Sequence, residues 1–108
     1  MDPVLSQFTE AVAAGRGLSK DEASRAALSL VSESVTDPER EAFLLALARK
    51  GETADEVLGF AAAYHGICRR PDFGDLPSRA IDIVGTGGDR SGSFNISSAS
   101  ALVVAAAG

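Results

Sequence analysis

The sequence predicts a mainly α-helical protein, in which an N-terminal helical domain of about four helices precedes the first strand–glycine loop–helix unit of an α/β domain. Apolar residues recur at helical spacing through the first two-thirds of the chain. A short β-branched stretch follows a region rich in turn formers, and a glycine-rich loop then precedes an alanine-rich segment. We therefore expect a helical domain at residues 1–70, a linker or hinge at 71–79 and an incomplete α/β domain at 80–108.

The first two helices are predicted from apolar stripes and from the residues that end or begin them. Gly15 and Gly17 end the first helix. Ser19 begins the second helix, and Glu22 follows three residues later, which is the spacing of a capping box. The apolar positions are Val4, Leu5, Phe8, Ala11 and Val12 in the first helix and Ala23, Ala26, Ala27, Leu30 and Val31 in the second.

The third and fourth helices have similar signals at their starts. Pro38 suits the first turn of the third helix, with Asp37 as its cap. Thr53 and Glu56 form a second capping box, which begins the fourth helix, and the turn formers from Pro71 onward end it. We expect Phe43, Leu44, Leu47 and Ala48 to form the buried face of the third helix. The apolar positions of the fourth are Val57, Leu58, Ala61, Ala62 and Tyr64.

The last third of the chain has a different pattern. Residues 80–84 (AIDIV) are apolar and β-branched, which indicates a buried strand. Residues 85–92 (GTGGDRSG) form a glycine-rich loop, and residues 95–107 suit a tightly packed helix. A lone strand leaves its backbone hydrogen bonds unpaired, and the sequence offers this strand no partner. The segment is therefore typical of the first strand–loop–helix unit of a parallel sheet.

Composition and charge argue against several classes of function. The formal net charge is −5 without a basic run, which disfavours nucleic acid or an anionic membrane as the main partner. Cys68 is the only cysteine and His65 the only histidine, so neither an internal disulfide nor a structural zinc site is expected. Cys68 is predicted to be a buried packing residue rather than a nucleophile. The start lacks a signal-peptide pattern and the longest apolar stretch, 99–108, is too short to span a bilayer, so a cytoplasmic location is expected.

Residues 81–98 (IDIVGTGGDRSGSFNISS) carry the candidate binding site. Glycines can turn successive N–H groups inward, which creates a concave anion site. The start of the following helix adds unpaired N–H groups and the positive end of the helix dipole. This pattern predicts phosphate binding, although a tight connection with ordinary helix caps would use the same residue types. Additional side-chain donors are Ser93, Asn95, Ser97 and Ser98.

Asp89 within this loop allows two interpretations. A carboxylate beside a polyphosphate is repulsive unless a metal ion or several N–H donors offset its charge. Asp89 could orient the N–H groups of the loop or lie near a phosphate-bound Mg²⁺, which takes oxygen ligands. Alternatively, it is a plain loop-capping residue.

The string GTGGDRSGSFNISS resembles the motif of the anthranilate phosphoribosyltransferase family. Upstream, AFLLALARKGETADEVLGFAAA resembles the third and fourth helices of that family, so that the resemblance covers the chain from about Phe8 to Gly108. It implies a small helical domain hinged to an α/β phosphoribosyltransferase domain, and a homodimer formed through the helical domain. The implied reaction is phosphoribosyl transfer from phosphoribosyl pyrophosphate to anthranilate in tryptophan biosynthesis, with Mg²⁺ as the cofactor.

The resemblance also implies roles for individual residues. Gly85 would lie beside anthranilate as well as phosphoribosyl pyrophosphate, and Ser97 would ligate a Mg²⁺. Ser93 and Ser98 replace threonines of the family motif, which keeps the hydroxyl groups. No covalent nucleophile is implied, so no catalytic residue is predicted. The residues implied to contact phosphoribosyl pyrophosphate are Gly85, Gly88, Asp89, Ser93, Asn95, Ile96, Ser97 and Ser98.

Other motifs of the family lie beyond the part that this sequence resembles. They are a Lys-His-Gly-Asn loop, an acidic pair for Mg²⁺ and an arginine that recognises anthranilate. We therefore expect this chain to be the N-terminal part of the enzyme and to be inactive alone.

Three alternatives remain open at this stage. A pyrimidine nucleoside phosphorylase would also join a helical domain to a phosphate-binding glycine loop, but Lys and Ser follow its glycines, whereas Asn95-Ile96-Ser97 stands here. A nucleic-acid-binding relative would need a basic face, and Arg69-Arg70 is the only arginine pair. A non-catalytic helical dimerisation module would bury its apolar stripes against a second copy.

Overall fold

A computed structural model describes residues 2–85, 87 and 90–108 of the chain. Six helices account for most of these described residues, and no β-strand forms among them. The prediction of a mainly α-helical chain is confirmed. The chain divides into two compact units, Met1–Arg70 and Pro71–Gly108. The helices are α1 (Pro3–Ala13), α2 (Lys20–Leu30), α3 (Asp37–Lys50), α4 (Ala54–Ile67), α5 (Leu76–Arg79) and α6 (Ile96–Ala107).

The first two helices begin at side-chain caps. Oδ1 of Asp2 accepts hydrogen bonds from the N–H groups of Val4 (2.8 Å) and Leu5 (3.1 Å) at the start of α1. At α2, the hydroxyl of Ser19 accepts the N–H of Glu22 at 3.2 Å, and Oε2 of Glu22 accepts the N–H of Ser19 at 2.9 Å. The capping box predicted for the second helix is therefore present, and it pairs two N–H groups that a helix start leaves without partners.

The starts of α3 and α4 are also capping boxes, but the cap of α3 differs from the prediction. At α4, Thr53 and Glu56 exchange hydrogen bonds of 3.2 and 2.8 Å, as predicted. At α3 the cap is Thr36 rather than Asp37, and the N–H of Thr36 donates to Oε2 of Glu39 at 2.8 Å. The reason is spacing, because Glu39 follows Thr36 by three residues and Asp37 already lies inside the helix.

The four helices of the first unit pack in an alternating order. α1 packs against α3, α2 packs against α4, and α1 also contacts α2. Phe43 and Leu47 are buried as predicted, but Leu44 and Ala48 are exposed because α3 is covered along one stripe only. The core consists of Leu5, Phe8, Val12, Leu18, Ala23, Ala26, Leu30, Val35, Phe43 and Leu47.

Helix α4 does not bury the face that carries most of its large apolar residues. Glu56 and Gly59 are buried, and Phe60 packs partly against the core. Val57 and Leu58 are exposed, by 55% and 54%. The cause is a close crossing of α4 with α2 at Gly59, which fixes the inward face of α4.

Gly59 allows the backbones of α2 and α4 to approach closely. A Cβ at this position would lie 2.4 Å from the carbonyl oxygen of Lys20 and 2.6 Å from the Cβ of Ala23. The hydroxyl of Ser24 donates to the carbonyl oxygen of Gly59 at 2.9 Å. Glycine at 59 is therefore required by the packing of the two helices.

Glu56 is a fully buried carboxylate at the start of α4. Oε1 accepts the N–H of Leu18 at 2.9 Å, while Oε2 accepts the N–H of Thr53 at 2.8 Å and the ammonium of Lys50 at 2.9 Å. Burial raises the pKa of Glu56, but the N–H of Leu18 and the ammonium of Lys50 outweigh it, so that the pKa lies below the ordinary value. The side chain therefore remains a carboxylate and ties the segment before α2 to α4.

The second unit contains two helices and an irregular connection. The short helix α5 lies within residues 71–79, which the sequence predicted as a linker. Residues 80–84 do not form the predicted strand, and the N–H of Val84 donates locally to Oδ1 of Asp82 at 3.1 Å. A strand is stabilised by a hydrogen-bonded neighbour, and the described residues provide none for this segment. α6 forms as predicted and is exposed along most of its length.

Candidate functional site

The start of α6 is fixed by Asn95. Its Oδ1 accepts the N–H of Ser98 at 2.9 Å, and its carbonyl oxygen accepts the N–H of Ala99 at 3.2 Å. Asn is among the residues that cap helix starts best, because its short side chain reaches the third N–H of the helix. The cap therefore aligns Ile96, Ser97 and Ser98 in the first turn, where a helix presents N–H groups and the positive end of its dipole.

An open cavity of about 580 Å³ lies between the glycine-rich loop and this first turn. Six residues that the sequence predicted as contacts line it, namely Gly85, Ser93, Asn95, Ile96, Ser97 and Ser98. The structure therefore brings these six together on one cavity. Gly88 and Asp89, the other two predicted contacts, lie outside the described residues.

Four further residues line the cavity without having been predicted as contacts: Val84, Gly87, Ser91 and Phe94. Gly87 and Ser91 lie inside the glycine-rich string, so their position in the loop was the available signal. Val84 and Phe94 are apolar and flank the loop at its two ends, and they gave no signal of their own because the pattern for an anion site rests on glycine and hydroxyl residues.

Left-handed backbone positions shape the described part of the loop. Gly87 has φ 78° and Gly92 has φ 65°, which is the region that glycine adopts without a steric cost. Arg90 shares this region with φ 53°. On either side of Gly92, the hydroxyls of Ser91 and Ser93 lie 3.0 Å apart, and the N–H of Ser93 approaches the hydroxyl of Ser91 at 3.4 Å. The loop thus turns repeatedly beside the cavity.

The described lining of the cavity carries no charged side chain. Its polar groups are backbone amides, four serine hydroxyls and the amide of Asn95. Such groups bind an anion through N–H and O–H donors rather than through a fixed counter-charge. No group of three or more His, Cys, Asp or Glu side chains that could hold a metal ion occurs in residues 2–85, 87 and 90–108.

His65 and Cys68 lie at the end of α4, in the first unit. The thiol of Cys68 donates to the carbonyl oxygen of His65 at 3.3 Å, and Nη2 of Arg70 donates to that same oxygen at 2.9 Å. Cys68 is exposed, so the prediction that it is a buried packing residue was wrong. The reason is that the last turn of α4 extends beyond the core, since Ile67 beside it is also half exposed.

Both units of the chain match models of known protein families. A family model described as the helical bundle domain of a glycosyl transferase family matches residues 6–65. The model described as the a/b domain of a glycosyl transferase family matches residues 77–108. The chain belongs to this glycosyl transferase family. The residues of the cavity lie within the part that matches the a/b domain.

Within the family, the chain is similar to curated anthranilate phosphoribosyltransferases, which confirms the resemblance found in the sequence. The protein of that name from Methylobacterium nodulans is 45% identical over 97 residues, which cover 90% of this chain and 28% of the relative. Those from Bradyrhizobium sp. strain BTAi1 and Rhizobium meliloti are 43% and 42% identical over 104 residues, which cover 96% of this chain and 30% of each relative. The chain thus spans less than a third of the length of these relatives.

No solved structure matches the chain. None of the helices in the described ranges is long and apolar enough to cross a lipid bilayer.

Proposed function

We propose that this chain supplies the diphosphate-binding loop of an anthranilate phosphoribosyltransferase, which transfers phosphoribose from phosphoribosyl pyrophosphate to anthranilate in the cytoplasmic synthesis of tryptophan. The observation that carries the proposal is the cavity between the loop and α6, because six residues of the family motif line it. The relatives that match at least 90% of this chain carry that name. Since they are more than three times as long, the complete reaction is proposed for a protein of their length.

The residues of the cavity suit the leaving group of this reaction. Negative charge builds on the diphosphate oxygens as the bond to the ribose carbon breaks, so donors aimed at those oxygens stabilise the transition state. The N–H groups of Ile96 and Ser97 and the hydroxyls of Ser97 and Ser98 are such donors, and α6 adds the positive end of its dipole. We propose that Ser93, Asn95 and Ile96 complete the diphosphate contacts together with Gly88 and Asp89.

Gly85 has a second role in the proposal. It lines the cavity at the end of residues 80–84, and a Cβ there would meet no atom of the described chain within 4 Å. A flat acceptor can therefore approach the backbone closely at this position. We propose that anthranilate binds beside Gly85 while the diphosphate lies against α6, so that the two substrates are held for direct transfer.

Mg²⁺ fits this donor set as a companion of the diphosphate. The described lining offers hydroxyl and amide oxygens but no carboxylate, and Mg²⁺ is commonly bound by substrate phosphates together with a few protein oxygens. We propose that the hydroxyl of Ser97 is one such ligand. When bound, Mg²⁺ would neutralise charge on the leaving diphosphate.

The proposed partner of the first unit is a second copy of the chain. Leu44 and Leu45 of α3 and Val57 and Leu58 of α4 are each about half exposed. Burial of such side chains in a two-fold interface would stabilise a homodimer. Sedimentation should then give a dimer and the melting temperature should rise with protein concentration, whereas a monomer at all concentrations would reject this part of the proposal.

Calorimetric titration tests the function directly. We expect the chain to bind Mg²⁺–phosphoribosyl pyrophosphate with a submillimolar dissociation constant and inorganic phosphate much more weakly. Ser97→Ala should weaken binding, while Ser100→Ala, which changes the same helix outside this cavity, should not. Absence of binding heat would reject the proposed site. Binding of phosphate as tight as that of phosphoribosyl pyrophosphate would favour a nucleoside phosphorylase instead.

A further inference from the structure

Arg90 has a backbone conformation that arginine rarely adopts. Its φ is 53°, and the residues with positive φ on either side of it in the described loop, Gly87 and Gly92, are both glycines. In this region the Cβ of an L-residue approaches the following carbonyl oxygen, which glycine avoids. Glycine or asparagine at position 90 would therefore leave the free loop more stable. Backbone strain of this kind clusters at active sites and at loops that hold ligands.

The charge of Arg90 is as distinctive as its backbone. It is the only lysine or arginine in residues 80–108, whereas Asp82 and Asp89 contribute two carboxylates to the same segment. Arg90 is exposed and directly precedes Ser91, which lines the cavity. The described lining of the cavity is itself uncharged. Arg90 is not itself among the residues that line the cavity, but it carries the only positive side-chain charge of residues 80–108 and is adjacent in sequence to that lining.

We propose that Arg90 is a specificity-determining residue, whose guanidinium binds the diphosphate group of the ligand and favours it over a single phosphate. This inference rests on the proposed function of the cavity. A guanidinium presents N–H donors in a planar fork that matches two phosphate oxygens at once, which a lysine ammonium cannot do. In a chain with net charge −5, a local cation also offsets the repulsion that a polyanion meets on approach. The strained backbone of the free loop is then offset by the contact with the ligand.

Four variants of the full chain separate this role from its alternatives. Arg90→Asn removes the charge and keeps a residue that tolerates positive φ, and Arg90→Gly removes the charge and the strain together. Arg90→Lys keeps the charge without the fork. Arg79→Gln is the matched control, because it removes the same charge from the same unit at a residue that is not adjacent in sequence to the cavity lining.

Calorimetric titration with Mg²⁺–phosphoribosyl pyrophosphate, and with inorganic pyrophosphate and phosphate, measures the effect. We expect Arg90→Asn and Arg90→Gly to weaken diphosphate binding by about tenfold, with a much smaller effect on phosphate, since charge-assisted hydrogen bonds are the strong ones. Arg90→Lys should be intermediate and Arg79→Gln close to the native chain. The ratio of the diphosphate dissociation constants of Arg90→Asn and the native chain should fall as salt is added, because salt screens the charge of Arg90.

Thermal unfolding shows whether a loss of binding is a loss of folding, and both uncharged variants should melt no lower than the native chain. If the native chain binds diphosphate and both Arg90→Asn and Arg90→Gly bind it as tightly, the role of Arg90 is rejected while the proposed function stands. An equal loss in Arg79→Gln would also reject it, because the effect would then be one of overall charge. If neither native chain nor variants bind any diphosphate, the proposed function fails and the role of Arg90 with it.

Discussion

The ammonium group of Lys50 lies 2.9 Å from Oε2 of Glu56, and the two side chains are only 10% and 0% exposed. The carboxylate also accepts the N–H groups of Leu18 and Thr53, so that one buried side chain joins the end of α3, the start of α4 and the segment before α2. A buried ion pair of this kind depends on both partners, because either charge alone would be left without water or a counter-ion.

Glu56→Gln should therefore destabilise the first unit strongly. We expect a loss of about 3 kcal/mol in the free energy of unfolding, because the ammonium of Lys50 would be buried without its counter-charge. Urea denaturation measures this change, and Glu41→Gln on the exposed side of α3 is the control, with an effect within about 0.5 kcal/mol. Lys50→Met in the Glu56→Gln background should recover part of the loss. Equal midpoints for Glu56→Gln and the control would contradict the importance of this pair.

Two glycines of α4 should respond to alanine in opposite directions. Gly59→Ala is expected to cost about 2 kcal/mol or more, because the new Cβ would meet the backbone of α2 at Lys20. Gly66→Ala places its Cβ in open space and should stabilise the helix by about 0.5–1 kcal/mol. Chemical denaturation of both variants checks the sign of each effect. A stabilised Gly59→Ala would mean that the two helices do not approach as closely as described.

Two capping glutamates should make the first unit sensitive to acid. The side chain of Arg16 and the N–H of Ser19 lower the pKa of Glu22 to about 2, and the N–H and hydroxyl of Thr36 lower that of Glu39 to about 2, against an ordinary 4.5. Because both pKa values are lower in the folded chain, the unfolded chain binds more protons below pH 4.5. The stability that they contribute should be complete above that pH and should be lost as the pH falls towards about 2.

Urea denaturation between neutral pH and pH 3 should show this loss as a free energy of unfolding that decreases below pH 4.5. The double variant Glu22→Gln, Glu39→Gln should lose less stability on acidification than the native chain. Arg16→Gln should remove part of the effect at Glu22 and leave Glu39 unchanged. Identical pH profiles for the native chain and the double variant would show that other groups cause the acid sensitivity.

Asn95 allows the cap of α6 to be separated from ligand binding. Asn95→Ala removes the acceptor for the N–H of Ser98 and should destabilise the first turn by about 1 kcal/mol. Asn95→Asp keeps an acceptor of equal capping strength but adds a negative charge beside the proposed diphosphate site. Circular dichroism should therefore report a helix content that falls only in Asn95→Ala. Titration with Mg²⁺–phosphoribosyl pyrophosphate should show at least about tenfold weaker binding in Asn95→Asp, and native affinity there would argue against an anion at this position.

The helix starts were predictable because their signals are local. Ser19 with Glu22 and Thr53 with Glu56 satisfy one another within four residues, so no knowledge of packing was needed. The same pattern is present at Thr36 and Glu39, but Asp37 also suits a cap because it directly precedes Pro38. Local rules thus located the first four helices, and one cap was missed because two residues competed for the position.

The inward face of α4 could not be predicted from its apolar residues. Val57 and Leu58 are larger and more apolar than Gly59, yet Gly59 faces α2 because the two backbones approach too closely for a larger side chain. Likewise, residues 80–84 have a strand-like composition, but a strand depends on a partner distant in sequence. The inward face of α4 and the absence of a strand at residues 80–84 both depend on tertiary contacts, which the hydrophobic periodicity of a sequence does not reveal.

The position of the candidate site is predictable from the sequence, whereas the conformation of one loop residue is not. Asn95 and the serines of the first turn line the cavity because a glycine loop and a helix start are neighbours in sequence. The positive φ of Arg90 was not predictable, since glycine and asparagine are the residues expected in that region. The predicted roles of these residues in substrate binding stay predictions until a ligand is titrated.

The alternating contacts of the bundle, α1 with α3 and α2 with α4, mean that neither half of the unit is autonomous. A cut between α2 and α3 would separate both pairs at once and would leave α1 and α2 with only their smaller mutual contact. Formation of the bundle thus requires the chain to close loops across intervening helices before its main contacts can form, which favours a single cooperative transition over the stepwise docking of hairpins.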